Sequence, residues 1–579
     1  MRRQVGLAIA HCRIVEGEQF VCFARGQAIF PEFLSFTLLR RGRIFQMLGK
    51  SQTATWFHCG LSGLFLVVAF APIGWSWCGW LALGPAWLAL RESDSVQRQP
   101  IRHGYLVGLI FVVGNFWWIA TAVPLGFVFM VAVLSFYPAL WFVLVVRLLP
   151  IQKDGEPNRI FRALGTTILA SAFWVTLEWL RSWSLTGFNW NELGVSQTPN
   201  ACIRQLAALG GVPLLSFVLA SFGILFGEAM GELRLAGAEC FRRAGPAAVC
   251  CLIIPAAAWL YGWYHLQEEK GATVSHVLTY ACIQPNIARI PYRTGTPAEW
   301  APLESNAFHL QEELSAMAIQ SRQPDLLIWP EAITAQRLGV DPLLGQVIGN
   351  VMRHIQGDFL LGGEELQAGK VYNCAYLFRH GELLPQKYRK IQLVVFSEYS
   401  PFGQTLTGLE SGLTPGVSPA SFALSGSPVT LSPFICFEET KPEAANAAAR
   451  LHPDFFVVLT NDNWFVGAAG IWAVTQQLQN GLLRTVEHDR PMIRCANNGI
   501  SCEIDPAGEL GGRIHGSFGE AVGIPGILAG TLPLETPENT LYELWGDWVL
   551  RACQVITIFS GSLYLFRTRK LAGLRGGTY

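Results

Sequence analysis

The chain has 579 residues, 51% hydrophobic and only 15% charged, where an ordinary soluble domain carries about 25% charged residues. Its 42 basic and 42 acidic residues cancel; a nucleic-acid-binding protein usually carries a basic excess to meet phosphate, so no nucleic acid partner is expected. None of the 14 cysteines forms a C-x-x-C pair, no metal or nucleotide motif stands out, and no cofactor is expected.

Residues 1–46 hold several arginines and no long apolar run. They lack the apolar stretch and small-residue cleavage site of a signal peptide. They read as a cytoplasmic N-terminal extension, with Met47 as a candidate true start.

Eight apolar stretches follow, at about 54–72, 74–90, 104–123, 125–146, 163–181, 206–229, 245–264 and 548–566. Roughly 20 mostly apolar residues carry a helix across a bilayer. The second stretch is short, of a length that also suits a re-entrant segment. Cys59, Cys78, Cys250, Cys251 and Cys553 lie in these runs, where a thiol behaves as a small hydrophobe. Basic residues alternate from loop to loop. Arg91, Arg98 and Arg102 separate spans two and three; Arg147, Lys153, Arg159 and Arg162 separate four and five; Arg234, Arg242 and Arg243 separate six and seven; Arg567, Arg569, Lys570 and Arg575 follow span eight. The opposite loops carry chiefly Arg181 and Arg204. Positive loops stay inside, so both ends are expected in the cytoplasm and residues 266–546 outside. The expected layout is 47–265 with seven spans, an outer domain at 266–546, and 547–579 with the eighth span and a cytoplasmic tail.

The outer segment changes pattern. Short β-rich runs (Val277–Gln284, Asp325–Trp329, Phe359–Gly362, Asn373–Phe378, Val429–Cys436, Phe455–Leu459, Met492–Ala496) alternate with helical ones (Ala301–Gln320, Leu343–Ile355, Glu443–Leu451, Thr475–Asp489). That alternation predicts an α/β layered domain. Three strands run into polar groups: Pro330-Glu331, Cys436-Phe437-Glu438-Glu439 and Asn461-Asp462-Asn463-Trp464. Strand ends are where such sheets build sites.

Cys436 is a candidate nucleophile, since a thiolate attacks well once a base or a positive charge helps form it. Glu331 is a candidate base if burial raises its pKa, and Lys390 a candidate source of positive charge for the thiolate and a developing oxyanion. Each has a plainer reading: a strand-end cysteine is more often structural, Trp329-Pro330-Glu331 suits a turn, and the run Lys387-Tyr388-Arg389-Lys390 suits a solvated face.

In combination the segments resemble the apolipoprotein N-acyltransferase family. Ile328-Trp329-Pro330-Glu331-Ala332 is similar to its WPE segment, and Lys390 to Pro401 to its K-x-x-L-V-P-F-G-E-x-x-P segment. Ile435-Cys436-Phe437-Glu438 is similar to I-C-Y-E, Asn461-Asp462-Asn463-Trp464-Phe465 to N-D-x-W-F, and Asn497-Asn498-Gly499-Ile500-Ser501 to N-N-G-[IV]-[ST]. In the membrane half, Glu178-Trp179-Leu180-Arg181 and Leu185-Thr186-Gly187-Phe188-Asn189-Trp190 resemble E-x-x-R…L-T-G-F-P-W. The resemblance implies an eight-span membrane domain bearing a nitrilase-like αββα sandwich, in the bacterial inner membrane with the sandwich in the periplasm. It implies Cys436 as the acylated nucleophile, Glu331 as general base, Lys390 as stabiliser of the tetrahedral intermediate, and Glu398 and Glu438 in support. Phe437, Asn461, Trp464 and Phe465 would meet substrate, and exposed Phe402 and Leu406 would add to an acyl entrance. The implied partners are a phospholipid acyl donor, giving up its sn-1 chain, and a diacylglyceryl apolipoprotein acceptor. Val395, Ser397, Phe437, Asn189 and Gln477 depart from the family pattern, which bears on loop geometry and acceptor recognition. A membrane-anchored amidase and an inactive lipoprotein-binding scaffold are the alternatives.

Overall fold

The computed structural model describes residues 12–15, 19–24, 27–28, 52–149, 159–184, 187–233, 239–269, 273–288, 296–332, 338–395, 397–399, 412–463, 467–517 and 519–575. Within the first 46 residues it describes three short antiparallel strands, Cys12–Val15, Gln19–Ala24 and Gln27–Ala28. Met47, Phe402 and Leu406 lie outside the described residues.

Five helices among the described residues are long and apolar enough to cross a membrane: Pro124–Leu148, Phe161–Trp183, Ala207–Leu233, Arg242–Glu268 and Trp548–Arg569. They coincide with the last five expected spans. The first three expected spans are shorter. Gln52–Val68 and Pro100–Phe116 are apolar helices of 17 residues. The 74–90 stretch divides into Trp77–Leu81 and Gly84–Glu92. Pro85 falls in the first turn of the second piece, where its missing N–H leaves no hydrogen bond unmade. The helix Ala207–Leu233 bends at Gly210-Gly211, and Gly211 takes φ +66°. A Cβ there would lie 2.6 Å from the Tyr542 ring, so glycine lets the segment before the last helix dock.

The outer segment forms two six-stranded sheets. One has the spatial order Leu510–Arg513, Cys502–Ile504, Met492–Ala496, Phe455–Thr460, Thr430–Ile435, Phe422–Ala423. The other runs Gly526–Glu535, Val274–Gln284, Leu326–Ile328, Asp358–Gln367, Lys370–Arg379, Glu382–Arg389. Side chains alternate across a strand, and this sorts them into layers. Tyr280, Cys282, Leu326 and Ile328 meet Leu431, Ile435, Val457 and Leu459 between the sheets. Ala281, Ile283, Leu327 and Trp329 face outward onto helices Pro297–Ser321 and Pro342–Met352. Phe434, Phe456 and Val458 face helices Pro442–Ala449 and Gly467–His488 on the other side. The result is the expected αββα sandwich.

The helix Gly467–His488 also joins the two halves. Gln476 Nε2 donates to the carbonyls of Ala71 and Asn115, both at 3.1 Å, and Gln479 Oε1 accepts from Ala71 N at 2.9 Å. Asn480 donates to Asn191, which donates to Asn115, each at 3.3 Å. Buried amides need partners, and here each half supplies them to the other.

Candidate active site

Thr430–Ile435 and Phe455–Thr460 are parallel neighbours in one sheet. Leu326–Ile328 runs parallel to Val274–Gln284 and Asp358–Gln367 in the other. Cys436, Asn461 and Glu331 follow the carboxyl ends of three of these strands, and all three line one cavity. Cys436 has φ +53°, uncommon for a residue with a side chain and worth explaining at a functional site. The chain turns there from strand into the 3₁₀ helix Cys436–Thr440. Glu438 Oε2 closes that turn by accepting from Ile435 N at 2.8 Å.

Glu331 is held from several sides. Asn373 Nδ2 donates to its Oε1 at 2.7 Å, Asn461 N to its Oε2 at 2.9 Å, and Lys390 Nζ to its Oε1 at 3.3 Å. Gly362 allows this approach, because a Cβ there would fall 2.7 Å from Glu331 Cα. Lys390 is 1% exposed and also donates to Glu398 Oε1 at 2.6 Å. Glu398 in turn accepts from Val394 N at 2.8 Å. The basic run is therefore not a uniformly solvated face. Strand alternation turns Tyr388 inward, while Lys387 and Arg389 pair with Glu365 on the other face.

The electrostatics keep the thiol protonated at rest and make the carboxylate beside it a stronger base. Burial raises the Glu331 pKa against the pull of Lys390, and the neighbouring Glu398 charge raises it further. Burial also raises the Cys436 thiol, followed by the Glu331 charge, with Lys390 opposing. Burial alone would lower Lys390, but Glu331 and Glu398 overcome it and hold the ammonium well above its ordinary value. The cation thus stays charged beside a thiol that does not ionise by itself. The base that can take its proton carries a raised pKa.

Glu438 accepts from Tyr388 Oη and Ile391 N, both at 2.7 Å, and from Gln392 N at 3.0 Å, all through Oε1. It fastens the Lys390 loop to the Cys436 turn. Glu439 turns the other way, onto Arg494 at 3.0 Å and Gln477 at 2.6 Å. Phe437 lines the cavity and stacks with Trp190, ring centres 6.1 Å apart. Asn461 serves Glu331 through its backbone and bonds Ala332 O at 3.1 Å through its side chain. Trp464 and Phe465 lie outside the described residues. Among the described residues, no group of three or more His, Cys, Asp or Glu side chains is placed to hold a metal ion.

The opposite wall comes from the membrane half. Trp118, Phe129, Met130, Phe188 and Trp190 line the same cavity as Cys436. Asn189, at a position where the family pattern has proline, donates its amide to Thr440 O at the end of the Cys436 turn. Sequence reasoning missed Asn373, Tyr388 and the Trp118–Met130 wall. Asn373 is a polar residue in a buried strand, a pattern that marks a satisfied partner. The wall residues look like any lipid-facing apolar positions.

Residues 62–225 match the family described as apolipoprotein N-acyltransferase N-terminal domain, and residues 279–531 match carbon-nitrogen hydrolase. The chain belongs to the apolipoprotein N-acyltransferase family. Members with curated names include an apolipoprotein N-acyltransferase of Geobacter metallireducens, 29% identical over 518 residues, covering 85% of this chain and 92% of that protein. Another, from Rhizobium meliloti, is 28% identical over 505 residues, covering 81% and 88%. Among solved structures, an amidase from Nesterenkonia sp. AN1 aligns with 48% of this chain and 96% of its own, at 18% identity and a TM-score of 0.34.

Proposed function

We propose that this protein moves a fatty acyl group from a phospholipid to the α-amino group of an N-terminal diacylglyceryl cysteine, through a thioester on Cys436. One observation carries the reading. Cys436 and Glu331, with Lys390 buried behind Glu331, open onto a cavity whose far wall is membrane-helix aromatic and aliphatic side chains. Such a wall suits an acyl chain, because apolar surface removed from water gains roughly 25 cal/mol per Å².

In the first half-reaction Glu331 takes the Cys436 proton and the sulfur attacks the ester carbonyl. The oxyanion forms near the Lys390 ammonium. Collapse breaks the ester C–O bond, Glu331 returns the proton to the departing alkoxide, and lysophospholipid leaves. In the second, the acceptor amine attacks the thioester while Glu331 takes its proton. The C–S bond then breaks, giving the amide and restoring the thiol.

The same reading sets the layout. Eight apolar segments span or enter the bacterial inner membrane, seven of them within 47–265 and the last within 547–579, and the sandwich of 266–546 faces the periplasm. Glu398 and Glu438 support the triad, while Phe437, Asn461, Trp464 and Phe465 border the substrates.

The test is mass analysis of the full-length protein after incubation with phospholipid alone, then with a diacylglyceryl lipopeptide. The expected result is an acyl group on Cys436 that passes to the peptide amine and never forms in Cys436→Ser. Release of free fatty acid with no acylated peptide would replace the acceptor amine by water. An acyl group on Cys436→Ser would reject the nucleophile.

A further inference from the structure

Arg181 sits in the last turn of Phe161–Trp183, at the end nearest the sandwich. Only 5% of it is exposed, and neither Nε nor Nη2 finds a hydrogen-bond partner among the described residues. Phe111 covers one face of the guanidinium, its ring centre 5.7 Å away. That contact leaves the edge donors unused. The carboxylates of Glu178, one turn back, and Glu192 lie close enough to attract the guanidinium charge, but Glu178 Oε1 accepts from Trp174 Nε1 at 2.8 Å and Leu193 N at 2.7 Å, and neither carboxylate bonds Nε or Nη2. A buried cation with idle donors is costly, and a guanidinium edge fits phosphate with two parallel hydrogen bonds.

The residue lines a small pocket that shares Leu134 and Tyr137 with the Cys436 cavity. Tyr137 Oη and Ser184 Oγ, 2.5 Å apart, stand in the wall of that cavity. Trp190, which lines that cavity, also has its Nε1 buried without a partner among the described residues. Unused donors therefore belong to the walls of two adjoining cavities.

We propose that Arg181 binds the phosphodiester of the acyl donor, and that it acts only in the first half-reaction. This inference rests on the phospholipid-donor reading. The two substrates must visit one thiol in turn. Both carry fatty chains, so apolar walls alone cannot tell them apart. The donor has a phosphate and the diacylglyceryl cysteine of the acceptor has none. A cation set beside the cavity binds the first and leaves the second untouched. Arg181 is thus a specificity residue for the donor.

The experiment compares full-length wild type, Arg181→Gln and Arg181→Lys in detergent micelles. Cys436 is loaded from phosphatidylethanolamine or from diacylglycerol with the same chains, and the loaded enzyme is then given lipopeptide. Arg181→Gln should raise half-saturation for the phospholipid roughly 10- to 100-fold. It should leave loading from diacylglycerol and transfer to the peptide unchanged, and Arg181→Lys should recover part of the loss. Equal loss with both donors, or equally slow transfer from the preformed thioester, would reduce Arg181 to a structural role and overturn the proposal. Wild type that loads equally well from both donors would defeat the phospholipid-donor reading itself. Wild type that needs the phospholipid, with Arg181→Gln unchanged, would defeat only the assignment of Arg181. Inorganic phosphate serves as a separate arm. If it competes in wild type while the variant keeps full preference for the phospholipid, the site belongs to a free anion and the lipid assignment falls.

Discussion

The two walls of the Cys436 cavity are built by opposite rules. On the sandwich side, the carboxylates are fixed by hydrogen bonds: Glu331 by Asn373, Asn461 and Lys390, and Glu438 by four donors. On the membrane side, Phe129 and Met130 come from an apolar helix, and Phe129 is well exposed. The first wall sets proton positions to within tenths of an ångström, as reaction chemistry requires. The second offers contact area, which tolerates loose geometry because dispersion and burial are non-directional. Substitutions on the two sides should therefore fail differently.

The largest effects after loss of the nucleophile belong to the polar wall. Glu331→Gln and Lys390→Ala should each slow thioester formation by about 10²–10⁴-fold, the usual worth of a positioned base, with helix content and membrane insertion preserved. Near-normal loading measured by rapid-quench mass analysis would remove them from the reaction.

Glu438→Gln comes next. The amide keeps one carbonyl oxygen and sets an NH₂ against donors now served by a carboxylate. The lysine loop should shift against the nucleophile turn and cost on the order of 10²-fold in turnover, with a lower Tm and little change in KM. An unaltered turnover would mean that the loop is held by other contacts.

The pH profile tests the same wall more gently. Glu331 must be ionised to accept the proton, and burial raises its pKa. Acylation should fall as pH drops through that raised value, starting above the roughly 4.3 of a free glutamate. Each further unit below it should cost about tenfold. A rate level down to pH 4 would show that Glu331 does not titrate in the step.

Phe129→Ala probes the apolar wall and should do least. Losing part of one aromatic contact is worth about 1–2 kcal/mol, or roughly five- to thirtyfold in KM for long-chain donors. Turnover at saturation and loading from short-chain donors should not change. A fall in turnover matching those of the polar wall would erase the contrast between the two sides.

The sequence by itself determined what local pattern can carry. Apolar runs marked the long membrane helices, and short β-rich runs marked the seven central strands, because burial on one or both faces writes itself into neighbouring residues. It also placed Glu331, Cys436 and Asn461 at strand ends. Edge strands such as Glu382–Arg389 and Leu510–Arg513 were not legible, since half-solvated pairing leaves a polar, irregular pattern. The second span showed its shortness, but the first and third did not, as hydrophobicity does not say where a helix breaks. Only the tertiary structure decided which distant residues meet. Lys390 and Glu331 stand 59 positions apart and share a hydrogen bond. Arg181 stands in a segment that resembles a family motif, but only its burial beside Phe111 shows its donors idle. Such partnerships depend on long-range packing, which no window of sequence contains.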